Sequence, residues 1–241
     1  MIKKRLLTNE KEFWKWILSF LLNPSYIIRK LLYKAIYNNS QNIKGVVLDF
    51  WCWEKPYKDL FKYKKYIWVD YKSSGHDNTR NDIDIYWDWK KIPVDNELFD
   101  SFICTEVLEH VFDIDTTLNE IYRVLKKWGK WIITIPFFVW EHEIPYDFAR
   151  YTYFAIEDIL EKHKFKILKH ERLWNSYLTL LQLNRLYISQ IIYWVNNKYL
   201  IILLNILLWF PAQIIINLLS LLDLSKNQNI YLNNILVVEK I

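Results

Sequence analysis

Val46-Val47-Leu48-Asp49-Phe50 is an unbroken apolar run closing on an acid, and Tyr66-Ile67-Trp68-Val69-Asp70 repeats that plan twenty residues on. Apolar runs without alternation belong to strands buried on both faces, as in parallel sheets covered by helices. An acid at the end of such a strand lies at the carboxyl edge of the sheet, where doubly wound folds bind ligands. Glu54 to Lys64 is long enough for a short helix between the two runs, which predicts a βαβ unit. Phe99 to Cys104, Trp131 to Pro136, Phe165 to Lys169 and Ile230 to Val238 read as further strands. Between them, Leu118, Ile121, Tyr122 and Leu125 fall at i, i+3, i+4 and i+7, with Asp115 as the cap and Lys126-Lys127 at the C-terminal end. A second helix is expected from Ala155 to His163. The fold class is therefore α/β: a Rossmann-like, doubly wound, mostly parallel sheet with helices on both faces, plus an apolar helical insertion before the last strand.

A chain of 241 residues with 52% hydrophobic side chains can bury one α/β domain and carry an appendage. The pattern divides it into an N-terminal helical region (1–40), a core (41–172), the apolar insertion (173–226) and the last strand (227–241). In the first region Phe13, Trp14, Ile17, Leu18 and Leu21 share a helical face and Pro24 interrupts it. From Leu173 to Leu222 only Arg185 and Lys198 are charged. That stretch is long enough to cross a bilayer, but Asn205, Pro211, Gln213 and Asn217 interrupt it. A last strand returning to the same sheet excludes a single crossing, leaving an interfacial or re-entrant hairpin. The net charge of +5 is modest and dispersed, so no nucleic-acid partner is indicated. Cys52 and Cys104 are isolated from each other and from histidine, which argues against disulfides and a zinc site. A reducing cytoplasm, at the inner face of the membrane if the apolar arm docks there, is the expected location. No signal peptide is expected, because Lys15 breaks the apolar stretch from Trp14 to Leu22. Peripheral association through 174–222 and a homodimer are both compatible with this composition.

Glycine is scarce and tryptophan abundant: 3 Gly against 13 Trp, where roughly 17 glycines would be ordinary at this length. The turn after the first strand, which must approach a ligand with bare backbone, reads Asp49-Phe50-Trp51-Cys52-Trp53-Glu54-Lys55-Pro56-Tyr57. With glycine at 51 and 53 it becomes D-F-G-C-G-E-K-P-Y. In that form the segment from about 40 to 170 resembles the class I S-adenosylmethionine (SAM)-dependent methyltransferases, specifically the methyltransferase type 11 group. Asp49 to Trp53 is similar to the D-x-G-x-G cofactor loop, and Asp70 to the acid that receives the ribose hydroxyls. Asp88 resembles the acid that contacts the adenine amino group. Ile92-Pro93 through Phe99-Asp100, Thr105-Glu106-Val107-Leu108-Glu109-His110 and Arg123 to Gly129 resemble three further family segments. Trp51, Trp53, Trp68, Trp89, Trp128 and Trp174 stand where the family commonly has glycine. One reading is that these are UGA codons meant as glycine under a reassigned code; the others are a pocket blocked by indole or tryptophans that belong to the core.

The resemblance implies SAM as cofactor, contacted by Asp49, Trp51, Cys52, Trp53, Asp70, Tyr71, Asp88, Trp89 and Thr105. Glu106, Glu109 and His110, at i, i+3 and i+4, are expected on one helical face, either as a base or hard-cation site or as a helix cap with a solvated acidic face. His142, Tyr146 and Arg150 read as an acceptor lid, or else as a loop pinned by an ion pair of Arg150 with Asp147 or Glu143. The implied function is methyl transfer to a small-molecule or membrane-associated acceptor, a lipid-linked glycan or a quinone-like ring. The competing reading is a non-catalytic SAM-fold interaction module whose pocket Trp51 and Trp53 block. A nicotinamide dehydrogenase is disfavoured, because Pro56 or Tyr57 would occupy the third glycine of its G-x-G-x-x-G turn.

Overall fold

The computed structural model describes residues 25–50, 56–71, 83–88, 90–219 and 226–241. Their contacts divide the chain into two compact units, one of residues 33–172 and 233–241, the other of 1–32 and 173–232.

The first unit is built on a seven-stranded sheet in the order β3-β2-β1-β4-β5-β7-β6. The strands are β1 Lys44–Phe50, β2 Lys62–Tyr71, β3 Ile85–Trp87, β4 Phe99–Thr105, β5 Leu125–Pro136, β6 Phe165–Leu173 and β7 Asn233–Lys240. From β3 to β5 every neighbouring pair is parallel, and β7 runs antiparallel to β5. The apolar runs end up where their composition requires. Leu48, Phe102, Ile133 and Leu236 are buried in one core, threaded by aromatic contacts of Phe102 with Phe50 (5.7 Å) and Trp131 (5.3 Å), and of Trp131 with Phe165 (5.4 Å). Gly45 opens β1 at φ +75°, beside a register shift between Gly45 and Val46. A side chain there would collide with Asp100, whose carboxylate accepts the Val46 N–H at 2.7 Å and the Lys126 ammonium at 2.7 Å.

The residues of helix α1 (Tyr26–Asn39) from Tyr33 on belong to this unit, as do helices α2 (Ile114–Val124) and α3 (Tyr153–Lys162). Two expectations need correction. The cap of α2 is Asp113, which accepts the Thr116 N–H at 3.0 Å, and Asp115 lies inside the first turn. Between β1 and β2 the described residues form only a 3-10 turn at Lys58–Leu60 before β2 begins at Lys62, so the helix expected up to Lys64 is displaced by an earlier strand. Short β3 escaped the sequence reading because three residues carry no periodicity. The N-terminal face of Phe13 to Leu21 lies outside the described residues.

The second unit contains α4 (Ser176–Tyr193), α5 (Lys198–Leu204), a π turn (Asn205–Trp209) and α6 (Phe210–Leu219). Asn175 caps α4 through the Leu178 N–H, and Asn197 caps α5 through the Tyr199 and Leu200 N–H groups. Lys198–Ile216 is, among the described residues, one stretch long and apolar enough to cross a membrane. Because β6 precedes this segment and β7 follows it in one sheet, a single crossing is excluded by connectivity.

The glycine-slot tryptophans separate by backbone. Trp128 (φ +63°) and Trp174 (φ +77°) are left-handed, a conformation that costs an L side chain roughly 1–2 kcal/mol and glycine almost nothing. Trp68 lies in extended β2, 1% exposed and part of the core. Trp51, Trp53 and Trp89 fall outside the described residues.

Candidate active site at the carboxyl edge of the sheet

Parallel pairing brings the carboxyl ends of β2, β1 and β4 to one edge, and each carries a buried polar residue at or next to its last position: Asp70, Asp49 and Thr105. Asp49 accepts a short hydrogen bond from the Tyr66 hydroxyl. Asp70 lies one strand away, opposite Tyr86 of β3, and Tyr71 closes β2. Asp88, after β3, is exposed and accepts the backbone N–H groups of Lys90 and Lys91 at 2.9 and 3.1 Å. Those two amides hold its carboxyl below the usual range. Trp51, Cys52, Trp53 and Trp89 belong to the stretches not described. Cys104, inside β4, is a buried thiol pushed upward by burial.

The segment after β4 does not form the regular helical face expected of Glu106, Glu109 and His110. Glu106 is left-handed at φ +55°, and only Leu108–His110 make a 3-10 turn. Glu106 therefore turns away: its carboxylate accepts the Thr134 hydroxyl (2.7 Å) and the Asn233 amide (2.8 Å), and burial lifts its pKa to about 7. Glu109 is fully buried, and neither of its carboxylate oxygens has a hydrogen-bond partner. Burial, then the charge of Glu106, pushes its pKa far up.

The loop after β5 folds over this turn. Phe148 and Ala149 donate their N–H groups to the Glu109 carbonyl at 2.8 and 3.1 Å, and His110 Nδ1 lies 2.7 Å from the Tyr146 carbonyl. A ring nitrogen so close to a carbonyl must carry the proton, so the lone pair of neutral His110 is on Nε2, 3.7 Å from Glu109 Oε1 and 3.9 Å from Glu143 Oε2. His142 packs edge-on against His110, ring centroids 4.8 Å apart. Arg150 is held by Asp147 through two bonds of 2.6 Å, the ion pair weighed as the plainer reading of this loop. Tyr146 contributes its carbonyl and leaves its ring exposed. The structure thus brings His110, Glu109 and His142 together, commits Glu106 to other partners, and holds Arg150 on Asp147 with Nη2 3.4 Å from His142 Nδ1. Glu143, like Glu106, is left-handed at φ +52°; such strain gathers at functional sites.

Four residues of this arrangement went unread as site residues: Tyr66, Thr134, Asp147 and Asn233. Asn233-Asn234 was the one detectable signal, a polar pair inside an otherwise apolar strand.

SAM fits the described part of this edge. Asp70 is a buried carboxylate near the end of β2, the acceptor chemistry that a ribose diol requires, and it stands one strand from Asp49.

A family model described as a methyltransferase domain matches residues 61–133, less than half of the chain and starting after the Asp49 to Trp53 turn. Among solved structures, the [4+2]-cyclase SpnF is similar at 16% identity and a TM-score of 0.54, over 87% of this chain and 79% of its own. A SAM-dependent methyltransferase from Archaeoglobus fulgidus is similar at 14% identity and 0.52, over 88% and 94%. The YcgJ protein from Bacillus subtilis is similar at 14% identity and 0.51, over 88% and 98%. No curated protein sequence matches the chain. At these identities the likeness is one of fold, and a cyclase among such neighbours illustrates that fold alone does not name a reaction.

Proposed function

We propose that this chain, whose core is a class I SAM-dependent methyltransferase domain, transfers the methyl group of SAM to a small-molecule or membrane-associated acceptor, of the lipid-linked glycan or quinone-like kind. The observation that carries the reading is the family match, which encloses Asp70, Asp88, Glu106, Glu109 and His110. The sheet supports it too, since an antiparallel β7 between β5 and β6 departs from the 3-2-1-4-5-6 order of dinucleotide-binding folds.

SAM, when bound, supplies an activated methyl on a sulfonium, so the protein's own work is to hold the two reactants in line and manage the acceptor's proton. Asp70 holds the ribose hydroxyls, with Asp49, Tyr71, Asp88 and Thr105 completing the edge. His110, Glu109 and His142 stand beyond the end of β4 as the acceptor-side group, Glu106 supports them from Thr134 and Asn233, and the Arg150–Asp147 pair fixes the loop that covers them. The second unit supports a lipid-associated acceptor: Tyr199, Ile202, Leu207 and Leu218 are more than half exposed, an apolar surface suited to an interface.

Calorimetry with SAM tests the first part. The chain as written is expected to bind SAM poorly, because Trp51 and Trp53 replace the two glycines of the D-x-G-x-G pattern, and W51G/W53G is expected to bind at micromolar concentration. Adding Asp70→Asn should weaken that at least tenfold. A folded W51G/W53G protein that takes up no SAM overturns the proposal and leaves the interaction-module reading. UGG at codons 51 and 53 would sink the reassigned-codon account. For the apolar arm, L207E/L218E should lower co-sedimentation of the full chain with liposomes; equal recovery rejects membrane docking.

A further inference from the structure

We infer that Glu109, His110 and His142 form a binding site for a first-row divalent metal ion of borderline softness, of the zinc or iron(II) kind. The inference deepens the proposed function, since it rests on this cluster facing the acceptor. One ligand atom from each of the three residues lies within 4.8 Å of the other two, and Glu109 Oε1 and His110 Nε2 are already 3.7 Å apart. Ligands bound tetrahedrally at about 2.1 Å stand about 3.4 Å from one another, so contraction by at most about 1.4 Å closes the set around an ion.

Two independent features point to a cation here. The first is Glu109, wholly buried with both oxygens unpartnered; a carboxylate in that setting costs several kcal/mol unless a positive charge or donors meet it. Arg150, the nearby cation, is bound through two bonds to Asp147, and its Nη2 also lies 3.4 Å from His142 Nδ1, with no hydrogen bond to Glu109. The second is the way the imidazoles are held. His110 is oriented through Nδ1 by the Tyr146 carbonyl, and His142 Nδ1 lies 3.2 Å from the Trp140 carbonyl and 3.3 Å from Asp147 Oδ2. Carbonyl and carboxylate contacts at one ring nitrogen are the outer-shell arrangement that fixes a metal-ligating histidine and aims its other nitrogen. Two nitrogens and one oxygen select zinc or iron over magnesium, which takes oxygen ligands. Three protein ligands leave a coordination position open, as catalytic sites do, and an acceptor hydroxyl or amine placed there would release its proton more readily. This set replaces the Glu106, Glu109 and His110 triplet that sequence spacing suggested, because Glu106 is committed to Thr134 and Asn233.

The test is zinc binding by the full chain, after dialysis against a chelator and without SAM. The expected result is one zinc per chain, at least tenfold weaker binding in Glu109→Gln and in His142→Ala, and no displacement by equimolar magnesium. Cobalt(II) substitution of the unaltered chain should give visible d–d absorption, a readout that needs no variant to fold. Stoichiometric zinc binding unchanged by both substitutions, no binding at all, or equal competition by magnesium overturns the inference. Zinc binding without SAM uptake would instead count against the proposed function alone.

Discussion

Each unit of the molecule buries an ionisable group that has no hydrogen-bonded partner, and the surroundings of the two differ. In the sheet unit it is Glu109, flanked by two imidazoles and a second acid. In the helical unit it is Arg185, 1% exposed, with Nε, Nη1 and Nη2 all lacking a hydrogen-bond partner and its guanidinium 4.5 Å from the Trp209 ring centroid. Burial alone pulls Arg185 down to about 9, so it stays charged at neutral pH and its cost is constant there. The acids can shed theirs by taking up a proton. An unpartnered acid amid convergent ligands is what a site looks like; an unpartnered guanidinium stacked on an indole is a load on the fold.

The contrast can be broken first through pH. Glu106 is raised from 4.5 to about 7 in the folded protein, so the folded state binds more protons than the unfolded one between those values. Its stability contribution is complete below about pH 4.5 and lost as pH rises through 7, about 3 kcal/mol in all. Urea unfolding of the metal-free protein should show stability falling from pH 5 to pH 8, and Glu106→Gln should flatten that slope. An equal slope in the variant would remove Glu106 from the account. Next, Arg185→Met keeps the apolar stem against Trp209 and deletes the unpaired charge. It should stabilise the protein by about 2 kcal/mol at both pH values; a loss of stability would mean the guanidinium has a partner in solution. The smallest effect compares backbone in the two units. Trp128→Gly in the sheet unit and Trp174→Gly in the helical unit should each gain about 1 kcal/mol by relieving a left-handed tryptophan, read as a higher thermal midpoint. A loss at either position would show that its indole contributes more than its backbone costs.

Much of the sheet unit was legible because both of its signals are local. Apolar runs located β1, β2, β4, β5 and β7, and terminal acids marked the edge at Asp49 and Asp70. Boundaries were less legible. The β2 strand reaches back to Lys62 through charged residues that only pairing with β1 makes extended, and Asp113 displaced Asp115 as cap because either acid satisfies the pattern. For the site, the family-like segment named Glu106, Glu109 and His110, but assumed a helix to relate them. The positive φ of Glu106 broke that spacing, and no periodicity announces a left-handed residue. His142 was noticed as part of a lid, not as the partner of His110.

The sequence by itself determined that a mostly parallel sheet would form, which acids would stand at its carboxyl edge, and that residues 199–222 would carry no charge. Burial of apolar surface and the strand and helix periods are properties of neighbours along the chain, and they suffice for that. Only the tertiary structure decided that Asn233, 127 residues after Glu106, would claim one acid and leave Glu109 to two histidines. Which polar group is satisfied and which is left wanting depends on contacts between distant segments. Those contacts exist only once the sheet has closed.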